Sequence, residues 1–415
     1  MAYAPVIFRG RCKGYAVYKL LWRAGTLLVL GCNWALFADD PAYVPGRLLA
    51  AHREAIDDAV LTRTWMAHGA VLRRSLPGLR VSVVEVPESS SEAIRESLMR
   101  TNLFEYVERD YYARTAAAPN DPSFALQWYL PRIHSLEAWG VTTGSASVVV
   151  AVIDSGVDAK HPDLVGKLVP GWNFVKNNAD TADLVGHGTT VAGTLAAASN
   201  NGIGVAGVSW ASLIMPLVAV NQNDYAAYSD IAAAIEYAIN SGIRVINISI
   251  GGPGDSFTLQ KAVDDAWRHD AVIFGSAMNN ASSAPHFPAA SNHVVAVSAT
   301  DANDHLAGFS NYGNWISLSA PGTNILTIEN GGGYGFGTGT SFASPIAAGV
   351  AALCLAINPA LTNAALVALL EQTADDLGPP GLDTSFGWGR VNAYRAVMAA
   401  TPRRPVIKRK PGYWK

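Results

Sequence analysis

From Gln127 onward the chain alternates between short, fully apolar runs and longer amphipathic stretches. The runs are VVVAVI at 148–153, LIMPLVAV at 213–220, VINISI at 245–250, AVIFGSA at 271–277 and VVAVSAT at 294–300. Between them lie stretches such as IAAAIEYAINSG at 231–242 and LQKAVDDAWRH at 259–269, and a long apolar run of small residues fills 341–357. β-branched runs without polar alternation predict strands buried on both faces, and the helices between them predict right-handed crossovers. The pattern predicts an α/β fold with a mostly parallel central sheet and helices on both faces. Ligands of such sheets bind beyond the carboxyl ends of the strands, so any chemistry is expected just after these runs.

A different pattern precedes it. Residues 47–113 read as a small α+β unit. It begins with the apolar-periodic LLAAHREAIDDAV and continues through strand-like runs around Ala70–Arg73 and Leu79–Val86. A helix over Ser91–Arg100, introduced by Ser89-Ser90-Ser91 and Glu92, leads to an extended segment at Phe104–Glu108. Residues 114–122 are small and turn-rich, which predicts a linker open to cleavage, followed by a large domain over 123–400. The tail, 401–415, is basic, interrupted by proline and without apolar periodicity.

The first 38 residues change the picture again. Arg9, Arg11, Lys13, Lys19 and Arg23 precede an apolar stretch, Ala24 to Ala38, and the acidic pair Asp39-Asp40 follows. This is the layout of a secretory leader, with removal expected near Ala38 and a secreted or periplasmic product. Val29-Leu30-Gly31-Cys32 offers an alternative, lipid anchoring through Cys32. With Cys12 and Cys32 in the leader, a processed chain keeps Cys354 alone, so it has no internal disulfide. The net charge of −3 over 415 residues gives no general attraction to nucleic acid or to an anionic membrane.

Three polar residues stand where the sheet argument places chemistry. Asp154 follows the run VVVAVI, His187 lies in GHGTTVAG, and Ser341 lies in GTGTSFASP at the start of a helix. A serine hydroxyl becomes a useful nucleophile when an imidazole takes its proton, and the imidazole needs a carboxylate to fix its tautomer. Each residue alone is also read as a strand-end acid, a core histidine or a helix cap. Their order and glycine-rich settings together point to acyl transfer.

The motifs VIDSGVD, HGTTVAG and GTSFASP closely resemble those of the subtilisin family of serine proteases. The resemblance covers roughly 127–396 and extends to the 47–113 unit, which looks like that family's inhibitory propeptide. It implies a seven-stranded parallel sheet and a secreted endopeptidase working through an acyl-enzyme, made as a self-inhibited zymogen. Segment 111–114 is then expected to occupy the groove like a product. Asp154, His187 and Ser341 match the catalytic positions, and Asn279 the oxyanion-hole asparagine, with Asn280 as the alternative. Met278 stands where the family usually has glycine, Thr190 replaces a second histidine, and Phe342 replaces a methionine, which implies tolerance of peroxide. Ser249, Ile250 and Gly251 match the substrate-pairing segment, with an apolar preference expected because no acid stands there. Gln127, Asp163, Asn200 and Asn201 match places where the family binds a structural calcium ion; the chemistry itself requires no cofactor. Expected partners are protein or peptide substrates and the chain's own propeptide, in a monomer without a permanent membrane span. A catalytically weak binding protein, or a protease dedicated to one processing event, are the rival readings.

Overall fold

The computed structural model describes residues 43–53, 56–111 and 118–402. The leader with Cys32, most of the linker's first half and the basic end from 403 lie outside the described residues. Two compact units divide between Ala113 and Arg114.

In the first unit, β1 (Tyr43–His52), α1 (Asp58–Ala67), β2 (Val71–Leu76), β3 (Val81–Glu85), α2 (Ser91–Arg100) and β4 (Phe104–Tyr111) follow one another. The strands form an antiparallel sheet in the order β2-β3-β1-β4. Leu48, Ala50, Trp65, Val84, Leu98 and Phe104 are buried together in a core of the unit's own. The stretch LLAAHREAIDDAV is not one element. Leu48–His52 belong to a strand paired on both edges, and the helix starts only at Asp58, capped by the Asp57 side chain. Alanines satisfy both periods, and pairing on both edges decides for the strand. Ser90 does not cap α2: a short turn, Glu88–Ser90, runs directly into the helix, and its hydroxyl donates to the Pro87 carbonyl.

The second unit opens with two short helices, α3 (Tyr129–Arg132) and α4 (Ser135–Trp139). Then come β5 (Val149–Asp154), β6 (Trp172–Asn173), α5 (His187–Ala196), β7 (Leu213–Val218), α6 (Tyr228–Asn240), β8 (Val245–Ile248) and α7 (Phe257–Arg268). The chain continues through β9 (Val272–Ser276), β10 (Val294–Thr300), β11 (Leu318–Pro321), β12 (Ile325–Glu329) and β13 (Gly333–Gly337). It ends with α8 (Thr340–Ile357), α9 (Asn363–Thr373) and α10 (Ala393–Ala400). Seven strands form a parallel sheet in the order β11-β10-β9-β8-β5-β7-β6, and β12 and β13 form a separate hairpin.

The apolar runs explain the layering. Val150 and Val152 of β5 face a core shared with α5, α8 and α10, whereas Ala151 and Ile153 face one shared with α6 and α7. Successive side chains of a strand point to opposite faces, so a strand covered on both sides needs apolar residues at every position. Among the described residues only α8 is long and apolar enough to cross a bilayer, and it is buried in this core. Cys354 on α8 is fully buried, and burial pushes its thiol pKa upward, which keeps the reactive thiolate scarce. The sheet reverses its direction of growth around β5, whose neighbours are β7 and β8. A crevice is expected at the carboxyl ends there, and Asp154 is the last residue of β5.

Candidate active site

Asp154 is buried, 1% exposed, because it ends a strand walled by helices on both faces. Its Oδ1 accepts hydrogen bonds from the Ser155 N–H and His187 Nδ1, each at 2.8 Å, while its buried Oδ2 has no hydrogen-bond partner among the described residues. His187 is the first residue of α5. The helix can start so close to β5 because Gly188 has no side chain: a Cβ there would overlap the Gly156 carbonyl. Asp183 fixes the approach to the helix. Its carboxylate accepts from the N–H groups of Val185, Gly186 and Thr189 and from the hydroxyls of Ser155 and Thr189. Ser155 in turn accepts from the Gly188 N–H, so the end of β5 and the start of α5 are tied together.

Burial by itself would lower the pKa of the His187 imidazole. The Asp154 carboxylate outweighs it through charge and hydrogen bond, with Asp224 and Asp183 adding charge, and the pKa is pushed up to about 9.

Ser341 lies in the first turn of α8. Pro345, inside the same helix, lacks the N–H that would bond the Ser341 carbonyl four residues earlier. The Ser249 hydroxyl supplies the missing donor at 3.0 Å. Ser249 also accepts from the Asn247 side chain, whose Oδ1 takes the Ser344 hydroxyl, so the carboxyl end of β8 is locked to α8 by a buried polar chain. The Ser341 Oγ donates to the Ser249 carbonyl at 3.2 Å. Ser249 therefore does more than line a groove: its side chain turns inward and holds the helix that carries Ser341.

Asn279 follows β9. Its Oδ1 accepts from both the N–H and the hydroxyl of Thr340, at 2.9 and 3.0 Å, and its amide N–H groups have no acceptor among the described residues. Asn280 directs its backbone N–H to Asn311 and takes no part in lining the site. Met278 adopts φ 76°, the left-handed region that favours glycine, and its Sδ lies beside Gly251. Both backbone groups of Met278 are engaged, its N–H with Thr340 and its carbonyl with Asn311, which holds the strained conformation.

His187, Ser249, Ile250, Gly251, Met278, Asn279 and Ser341 surround one cavity of about 490 Å³. Asp154 lies directly behind it through His187. Thr340, inside the GTGTSFASP motif, also takes part, as do Asp183 and Asp224, which lie outside the motifs. Asp183, four residues ahead of His187, was within reach of a helix-start argument.

Gln127, Asp163, Asn200 and Asn201 also come together, at a second place, with Asp121 as a further member. The Gln127 Oε1 accepts from the Ala206 N–H, and Asp163 accepts from the Asn201 amide and the Val205 N–H. The Asn200 and Asn201 N–H groups donate to Asp121. Burial pushes the Asp121 carboxyl up; the loop amides oppose this, and the neighbouring Asp163 charge adds to it. Two carboxylates in mutual repulsion beside amides and carbonyls suit a hard cation. Among the described residues no three His, Cys, Asp or Glu side chains gather around a metal position, so carbonyl and amide oxygens would have to complete such a shell.

This geometry has relatives. The family model Peptidase S8, described as the Subtilase family, matches residues 145–389. A thermophilic serine proteinase of Bacillus sp. (strain AK1) is 39% identical over 357 residues, 86% of this chain and 88% of that protein. Thermitase of Thermoactinomyces vulgaris is 38% identical over 281 residues, 68% of this chain and 99% of that protein. A solved protease from Pseudoalteromonas arctica PAMC 21717 has a TM-score of 0.64 at 33% identity, covering 69% of this chain and 100% of that one. Matched by the family model over more than half its length and by relatives over nearly all of theirs, the chain belongs to the subtilase family and is a serine endopeptidase.

Proposed function

We propose that the chain hydrolyses peptide bonds with Ser341 as nucleophile, His187 as general base and Asp154 as the carboxylate that orients it. One observation carries this reading: an imidazole bonded through Nδ1 to a buried carboxylate shares a cavity with a serine in the first turn of a helix. The Ser341 hydroxyl leaves the Ser249 carbonyl, passes its proton to His187 Nε2 and adds to the substrate carbonyl. The negative oxygen is met by the Ser341 N–H, which has no intrahelical acceptor in the first turn, and by the Asn279 amide. The imidazolium then protonates the departing amine, and water releases the acyl group by the same route in reverse. Ile250 and Gly251 receive the residue before the cut, with Met278 closing the pocket's far wall.

The 47–113 unit is the inhibitor of this endopeptidase, and residues 1–38 direct its export. The likeness to the Bacillus proteinase is longer than the second unit itself, so it reaches into the N-terminal unit, which supports reading that unit as part of the protease's plan. Calcium, where it binds, is held by Asp121 and Asp163 with Gln127 and oxygens of the 199–202 loop, including Asn200 and Asn201. Its contribution is to relieve carboxylate repulsion and stabilise the fold.

A fluorophosphonate probe is expected to label the wild type and not Ser341→Ala; labelling elsewhere in the wild type would overturn the assignment. Asn279→Ala is expected to lower kcat by about 10²–10³ with little change in KM, whereas Asn280→Ala leaves kcat largely intact. The base must be neutral, so kcat/KM should rise with pH through an inflection above 6.5, toward about 9; an inflection well below 6.5 contradicts the charge argument. The exported product should start between residues 110 and 122, and the isolated N-terminal unit should inhibit it in trans. Excess chelator should lower the Tm of the mature enzyme and calcium restore it; equal Tm values mean that the Asp121–Asp163 site holds no calcium.

A further inference from the structure

Of the residues lining the cavity, Asp224 and His187 are the ones with ionisable charge near neutrality, and Asp224 is the sole carboxylate. It sits in the loop after β7 in the left-handed conformation, φ 64°, which aspartate tolerates. The loop does not need the Asp224 side chain. Asn221 Oδ1 accepts from the N–H groups of Asn223 and Tyr225, the Asn221 carbonyl accepts from the Asp224 N–H, and the Asn221 N–H donates to the Tyr225 carbonyl. Among the described residues the Asp224 carboxylate has neither a hydrogen-bond donor nor a cation bonded to it. It is exposed, lines the groove, and lies near enough to His187 to act on its charge.

A peptide crossing this groove in extended form turns successive side chains to opposite sides. If the residue before the cut enters the pocket at Gly251 and Met278, the side chain before it points the other way, toward the wall of His187 and Asp224. We propose that Asp224 makes this second position selective for a lysine or arginine side chain. This deepens the peptidase reading above and rests on it. An apolar residue before the cut and a basic one ahead of it is thus the preferred pair. The acid escapes a search of the 249–251 segment because it belongs to another loop, brought to the same edge of the sheet by the pairing of β7 and β8 on either side of β5.

The experiment uses the mature enzyme and peptides that differ only at this second position: lysine, arginine, norleucine or glutamate. The wild type should cleave the lysine peptide about two- to fivefold better in kcat/KM than the norleucine peptide, and the glutamate peptide worst. Asp224→Asn should bring the lysine-to-norleucine ratio near one, Asp224→Glu should restore much of it, and Asp224→Lys should favour glutamate. Because each ratio is taken at one pH within one variant, any effect of residue 224 on the His187 proton cancels. Added salt should shrink the wild-type ratio. A wild-type ratio near one, or a ratio that Asp224→Asn leaves unmoved, overturns the proposal while cleavage of the norleucine peptide upholds the peptidase reading. Failure of the wild type to cleave any peptide or take a fluorophosphonate probe overturns both.

Discussion

The burial of α8 is the constraint on which the rest of the second unit depends. Every residue from Thr340 to Leu355 is buried, and an apolar segment of that length has no stable place in water. Its only favourable position is against the sheet, across the strands from β5 to β11. Once it lies there, its first turn stands at the carboxyl edge, beside the ends of β8 and β9. Ser341 is located by the hydrophobic packing of the sixteen-residue stretch from Thr340 to Leu355 in which it stands second, and its own chemistry contributes little to that placement. The polar chain from Ser344 through Asn247 to Ser249 then sets the fine position, because Pro345 has removed the donor that would otherwise satisfy the Ser341 carbonyl.

Around His187 the balance is electrostatic. An imidazole half withdrawn from water would ordinarily give up its proton more readily. Three carboxylates reverse that tendency, and they differ in kind. Asp154 bonds directly to the ring and is itself shielded by the sheet. Asp183 is fully engaged with backbone and hydroxyl donors and acts at longer range. Asp224 is open to solvent, so its influence on the ring weakens as salt is added. The same three charges favour the imidazolium that forms when a serine proton is taken up.

Much of this could be read in the sequence. The parallel sheet was legible because buried strands leave continuous β-branched runs, and the site residues because three of them sit in dense glycine-rich motifs at strand or helix ends. What escaped depended on partners distant in the chain. Asp121 is meaningful beside a loop some eighty residues later, and Asp224 beside a histidine that precedes it on a different crossover. Ser249 looked like part of an extended backbone stretch; its hydroxyl's role exists only because a proline ninety-six residues on lacks an N–H. In the first unit, the apolar-periodic stretch from Leu48 does not by itself divide into the strand that ends at His52 and the helix that starts at Asp58, since such sequence fits either element until its neighbours are known.

Phe342, next to Ser341, stands with its ring pressed onto Gly337, where any Cβ would overlap the ring. The two positions belong to different elements, a hairpin strand and a core helix, yet neither can change independently. A larger residue at 337 demands a slimmer one at 342, and a slimmer 342 leaves a void beside the nucleophile unless 337 grows. In descendants of this chain the two sites should drift as a pair, and a lineage that placed a methionine at 342 would be the place to look for a side chain at 337.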